Sequence, residues 1–121
     1  MTKDANQRGA ETGKHPDHFL AEWREYRGHT VRGLAAMVSV SHSKISRIET
    51  GDSELRPSFA KKLARFFNIP LAALFTVNPL GEGRKAAEMI DILTSLEPAK
   101  QDVALRMLRG LAADNGDKQT G

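Results

Sequence analysis

The sequence predicts an all-α protein: a five-helix domain over residues 17–77, then a C-terminal helical hairpin at 84–114. Three observations predict it. The run from Thr30 to Gly51, TVRGLAAMVSVSHSKISRIETG, reads as two short helices joined by a tight turn. Apolar residues elsewhere recur three and four positions apart, the period of a helix buried along one face. Finally, Asn78-Pro79-Leu80-Gly81-Glu82-Gly83 has the composition of a linker, and two amphipathic segments broken at Pro98 follow it.

The first helix of the central pair starts at Thr30, whose hydroxyl suits an N-cap. Val31, Leu34, Ala35 and Val38 make its apolar stripe, and the small Ala35 suits a close helix crossing. Ser39 and Val40 form the turn. Ser39 stands where a left-handed residue is wanted, so a strained Ser or a slightly altered turn is expected. Ser41 caps the second helix, Ile45 and Ile48 face inward, and His42, Ser43, Lys44, Ser46 and Arg47 are left outside. Gly51 closes it in the left-handed conformation that ends many helices. An outward face of small polar groups and two cations suits a DNA groove lined by acceptors and phosphates.

The remaining elements follow in order. A helix from about Asp17 to Arg27 buries Phe19, Leu20 and Trp23 and stops at Gly28. A fourth runs from near Pro57, a favoured first-turn residue, to Phe67, with Phe59, Leu63, Phe66 and Phe67 inward. Pro70 starts a short fifth helix ending near Phe75. Gly33, inside the first helix of the pair, costs up to about 1 kcal/mol relative to Ala. In the hairpin, Ala86, Met89, Ile90, Leu93 and Leu96 line one helix. Val103, Ala104, Met107, Leu108 and Leu111 line the other, which Asn115-Gly116 closes. Those faces need cover, from a second chain as a dimerisation element or from the protein's own core. Residues 1–16 and 115–121 lack periodicity and are expected to be disordered; Lys3, Arg8 and Lys14 are expected to belong to a solvated arm, the alternative being an arm that follows a DNA backbone or enters a minor groove.

Composition narrows the function. The chain has 121 residues and net charge +3, placed unevenly. Residues 18–76 hold nine Lys or Arg against five acids, residues 1–17 balance, and residues 77–121 carry one excess acid. The positive excess therefore lies on the segment with the helix pair, as phosphate binding requires. Cys is absent, so neither a disulfide framework nor Cys-ligated zinc is expected. No apolar run is long enough to span a membrane, and a cytoplasmic location is expected. His15, His18, His29 and His42 have no third partner at a ligand spacing, so no metal is expected. No cofactor is called for either: Gly81-x-Gly83 follows no strand and lacks the third glycine of a phosphate loop. No Ser sits with a His and an acid in a nucleophile setting, and no enzyme activity is expected.

The residues Arg24, Leu34-Ala35, Val40-Ser41, Ile45-Ser46-Arg47-Ile48-Glu49-Thr50-Gly51, Phe66-Phe67-Asn68-Ile69-Pro70-Leu71 and Leu74-Phe75 carry a resemblance. Over roughly residues 18–76 the chain resembles the Cro/C1-type (XRE family) helix-turn-helix regulators, with a DNA-binding domain like those of the lambda and 434 repressors. The resemblance implies a salt bridge between Arg24 and Glu49 that holds the second helix of the pair to the scaffold. It also implies that His42, Ser43 and Arg47, assisted by Ser46, reach base edges. Thr30, Arg32, Lys44 and Arg56 are the candidate phosphate contacts. The sequence departs from the pattern at Val31, where Gln is common, and at Ser39, where Gly is usual.

The function expected is a sequence-specific binder of double-stranded DNA that regulates transcription. It is expected to be a repressor and to bind a palindromic operator as a homodimer through the C-terminal helices. The alternative is an antitoxin-type protein that binds a toxin partner and autoregulates its own operon.

Overall fold

A computed structural model describes residues 16–120, with side chains as far as Asp114. The expectations for residues 1–15 lie outside the described residues. Seven helices and no strand occur among the described residues. They are α1 Leu20–Tyr26, α2 Val31–Met37, α3 His42–Thr50, α4 Pro57–Phe67, α5 Leu71–Thr76, α6 Arg84–Ser95 and α7 Pro98–Thr120. They divide into two compact units, the first ending at Ala87 and the second beginning at Glu88.

In the first unit, α2 packs on α3 and α4 on α5. Leu20, Trp23, Leu34, Ile45, Ile48, Leu63, Phe67 and Leu74 are almost wholly buried and form the centre of the core. Two polar ties join α1 and its C-cap residue to distant carbonyls. The Trp23 indole N–H donates to the Ala73 carbonyl at 3.1 Å, and the Arg27 guanidinium donates to the Phe67 carbonyl at 2.8 and 3.0 Å. Phe59 and Phe66, expected inside, are only half-buried.

The helix α1 starts three residues later than its periodicity suggests. The Phe19 amide donates to the Leu74 carbonyl at 2.8 Å, and Phe19 serves as N-cap with non-helical backbone angles. His18, which the sequence gave no reason to single out, is buried and accepts from the Leu20 amide through Nδ1 at 3.2 Å. It thereby satisfies an amide that the first turn leaves orphaned. Burial pushes its pKa below 6.5, against the opposing pull of a hydrogen bond to the Ile48 backbone and of Asp17. The folded state then binds fewer protons than the unfolded state, so stability rises with pH across this window. The contribution is complete above pH 6.5 and drains away as the pH falls towards the lower folded value. Thermal melts of the protein and of His18→Gln, compared from pH 7.5 to 5, should show a steeper loss in the protein with His18. Parallel curves would remove His18 from this role.

The turn between α2 and α3 resolves the question at Ser39. Its φ is 61°, left-handed. The Ser39 amide donates to Ala36 and the Val40 amide to Ala35, at 3.3 and 3.0 Å, the paired bonds that close a helix on a left-handed residue. A residue with a Cβ costs about 1–2 kcal/mol in that conformation. Ser39→Gly is therefore expected to raise the melting temperature by several degrees, read by circular dichroism. A lower value would mean that the Ser side chain stabilises the turn. Asn68 takes the same position after α4 with φ 59°.

Residues 78–83, expected to be a linker, form a hydrogen-bonded turn. The Asn78 carbonyl accepts from Gly81 and Gly83 at 3.2 and 2.9 Å, its side-chain oxygen accepts from Leu80 at 3.0 Å, and Pro79 is fully buried. A Cβ on Gly83 would come within 2.8 Å of the Asn78 backbone, so only glycine fits without a shift. The first turn of α6 continues this packing, with Ala87 wholly buried in the first unit.

In the second unit, Met89, Ile92 and Leu93 of α6 and Ala104, Met107, Leu108 and Leu111 of α7 line one apolar groove, with Ile92 in place of the expected Ala86 and Ile90, and Ala86 exposed. Much of their apolar surface stays open: Ile92 is 61% exposed, Met107 66% and Leu111 63%. The helix α7 does not stop at Asn115-Gly116 but runs on to Thr120. A glycine inside a helix costs about 1 kcal/mol without ending it, and Gly110 is accommodated in the same helix.

Candidate nucleic-acid interface

The local chemistry of α2 and α3 positions the candidate site. Thr30 accepts from the Gly33 amide at 2.9 Å and Ser41 from the Lys44 amide at 3.1 Å, so each helix begins at a defined residue. An added Cβ at Gly33 would sit 3.0 Å from the Thr30 hydroxyl oxygen, which ties the glycine to the cap. With Ile45 and Ile48 buried, the rotation of α3 is set. His42, Lys44, Ser46 and Arg47 are exposed on its other side, and Ser43 is half-buried.

Arg24 and Glu49 meet as a bidentate pair. Arg24 Nε donates to Glu49 Oε2 at 2.6 Å and Nη2 to Oε1 at 3.1 Å, while Nη1 donates to the His29 carbonyl at 2.8 Å. The side chains are 12% and 10% exposed. The hydrogen bond to Glu49 holds the Arg24 guanidinium above its ordinary pKa. Three directional bonds therefore connect α1, the α1–α2 loop and the end of α3. Fork-to-carboxylate geometry of this kind fixes angle as well as distance.

Beside α3 lies an open recess of about 550 Å³. It brings together Lys44 and Arg47 from α3, Arg56 from the loop before α4, and the hydroxyl residues Ser41, Ser53 and Ser58. Glu54 lines it as well. The Lys44 ammonium stands 4.8 Å from the centroid of the Phe59 ring, close enough for a cation–π attraction that steadies it. Thr30 and Arg32, at the start of α2, are exposed and do not line this recess, nor do His42, Ser43 and Ser46. Sequence reasoning missed Ser53, Ser58 and the role of Phe59. Ser58 follows Pro57 in the first turn of α4, and that position was the available signal.

Chemically, three cations and three hydroxyls around a shallow recess suit an anionic oxygen-rich backbone. A helix exposing short polar groups next to it suits base edges. A family model for a helix-turn-helix domain matches residues 18–74. Those residues are a helix-turn-helix domain. Within them α2 and α3 are the helix pair, with α3 second. The match agrees with the Cro/C1-type resemblance. No curated protein and no solved structure matches the chain. No helix among the described residues is long and apolar enough to cross a membrane, and no group of three or more His, Cys, Asp or Glu among them is placed to hold a metal ion.

Proposed function

We propose that the protein is a transcriptional regulator that reads double-stranded DNA with α3 and represses by occupying a palindromic operator in two copies. The observation that carries this reading is the outward face of α3, polar and basic, opposite Ile45 and Ile48 and bordered by the Lys44–Arg47–Arg56 recess. Base contacts are assigned to His42, Ser43, Ser46 and Arg47, and phosphate contacts to Thr30, Arg32, Lys44 and Arg56. Arg32 supplies charge at the N-terminus of α2, where the helix dipole also favours an anion. The Thr30 hydroxyl oxygen serves its own helix, so towards a phosphate this group acts as a donor. Half-sites read by one small domain are short, and two copies double the recognised length. Occupancy of a promoter-proximal site then blocks transcription without any chemical step.

Selection of bound duplexes from a random pool tests the proposal. The expected product is an inverted repeat with half-site centres about 34 Å apart, one turn of the double helix. Recovery of unenriched sequence would reject sequence-specific regulation. A single unrepeated half-site would reject the two-copy operator.

A further inference from the structure

The open apolar surface of the second unit has a pattern that specifies its occupant. The helices α6 and α7 enclose a groove of about 230 Å³ with wholly apolar walls, among them Met89, Ile92 and Leu93 on one side and Met107, Leu108 and Leu111 on the other. Along α7, Lys100, Val103, Met107, Leu111 and Asp114 form an exposed stripe that includes two of the groove's wall residues, Met107 and Leu111. Met107 is its midpoint. Val103 precedes it by four residues and Leu111 follows by four; Lys100 precedes it by seven and Asp114 follows by seven. Positions four and seven apart share a face of an α-helix.

Such a stripe is complementary to itself when reversed. Two copies of α7 laid antiparallel about a twofold axis at Met107 would set Met107 against Met107 of the other copy. Val103 would then meet Leu111, and the basic end at Lys100 would meet the acidic end at Asp114. A parallel pairing would instead set Lys100 against Lys100 and Asp114 against Asp114, which like charges disfavour. Gly110 lies beside the stripe with nothing within 4 Å of where a Cβ would sit, leaving space for an approaching helix. Residues 84–114 carry five cations and five acids, so two copies meet without net repulsion, unlike the basic first unit.

We propose that a second copy of this chain docks on this surface, α7 against α7 in antiparallel register centred on Met107, so that two hairpins form a four-helix bundle. The proposal supplies the contact for the two-copy regulator described above, but its test needs no DNA. The protein has no cysteine, so single cysteines can be placed at will. Sedimentation equilibrium of the full chain should show a dimer at micromolar concentration. Under a mild oxidant Met107→Cys should link two copies rapidly. Lys100→Cys alone should link slowly, because two such residues stand about 21 Å apart along the paired helices at 1.5 Å per residue. A mixture of Lys100→Cys with Asp114→Cys should link as readily as Met107→Cys. As a second readout, Met107→Glu should weaken dimerisation about tenfold or more by setting two carboxylates on the axis, with its helical circular dichroism retained because Met107 is exposed.

A chain that stays monomeric at all concentrations overturns the proposal, as does a dimer in which Lys100→Cys links with itself as fast as Met107→Cys. A monomer that nevertheless binds duplex DNA overturns only this contact and leaves the regulatory reading standing. A linked dimer that ignores duplex DNA sustains this contact and removes that reading.

Discussion

Replacing Arg24 with Met is expected to destabilise the first unit by about 3 kcal/mol, the lower end of the range for breaking a buried ion pair. The substitution keeps most of the apolar stem but leaves the Glu49 carboxylate, 10% exposed, without its bidentate partner. The His29 carbonyl loses its donor as well. For a domain of this size each kcal/mol moves the melting temperature by about 4–8 °C, so a fall of well over 10 °C should appear in a thermal melt. Glu49→Gln should cost less, because an amide oxygen still accepts from Arg24. A melting temperature for Arg24→Met within a degree or two of the parent would show that packing alone holds α3. The prediction concerns stability and does not depend on what α3 binds.

Arg47→Ala is expected to lower affinity for the selected operator by about ten- to a hundredfold, equivalent to roughly 1–3 kcal/mol for losing a bidentate base contact. Its effect on unrelated DNA should be much smaller. Lys44→Ala and Arg56→Ala should behave differently, weakening both DNAs by similar factors and each lowering the salt slope by about one. The contrast matters because Arg47 lines the same recess as Lys44 and Arg56. If Arg47→Ala weakens operator and unrelated DNA equally, Arg47 is a phosphate contact, and base reading falls to His42, Ser43 and Ser46. Titrations at two salt concentrations separate the cases.

The helix pair was legible in the sequence because its signals are local. Thr30 and Ser41 cap their own helices, Ile45 and Ile48 mark one face, and Gly51 ends α3 left-handed, each readable within a few residues. Even the bridge between Arg24 and Glu49, distant in the chain, was implied by family resemblance. What was not legible depends on contacts across the fold. His18 looks like any histidine near a terminus until the Leu20 amide and the Ile48 backbone are placed beside its ring. Phe59 falls on the apolar period of α4, yet it sits at the rim of the recess, beneath Lys44. The turn at Asn78–Gly83 has the composition of a flexible connector, but Pro79 is buried and Gly83 is pressed against the Asn78 backbone. Composition reports what a segment permits; packing decides which of those options it takes.

If the outward face of α3 reads DNA, the backbone amides of that helix should report it. The decisive measurement is amide chemical-shift mapping of the labelled full chain, titrated with duplex DNA at low ionic strength. The largest changes should fall on residues 42–47 and on the wall of the recess at 53–58, with Thr30 and Arg32 next. Large shifts confined to the later turns of α4, to α5 or to the hairpin, with residues 42–47 unmoved, would remove α3 from that role.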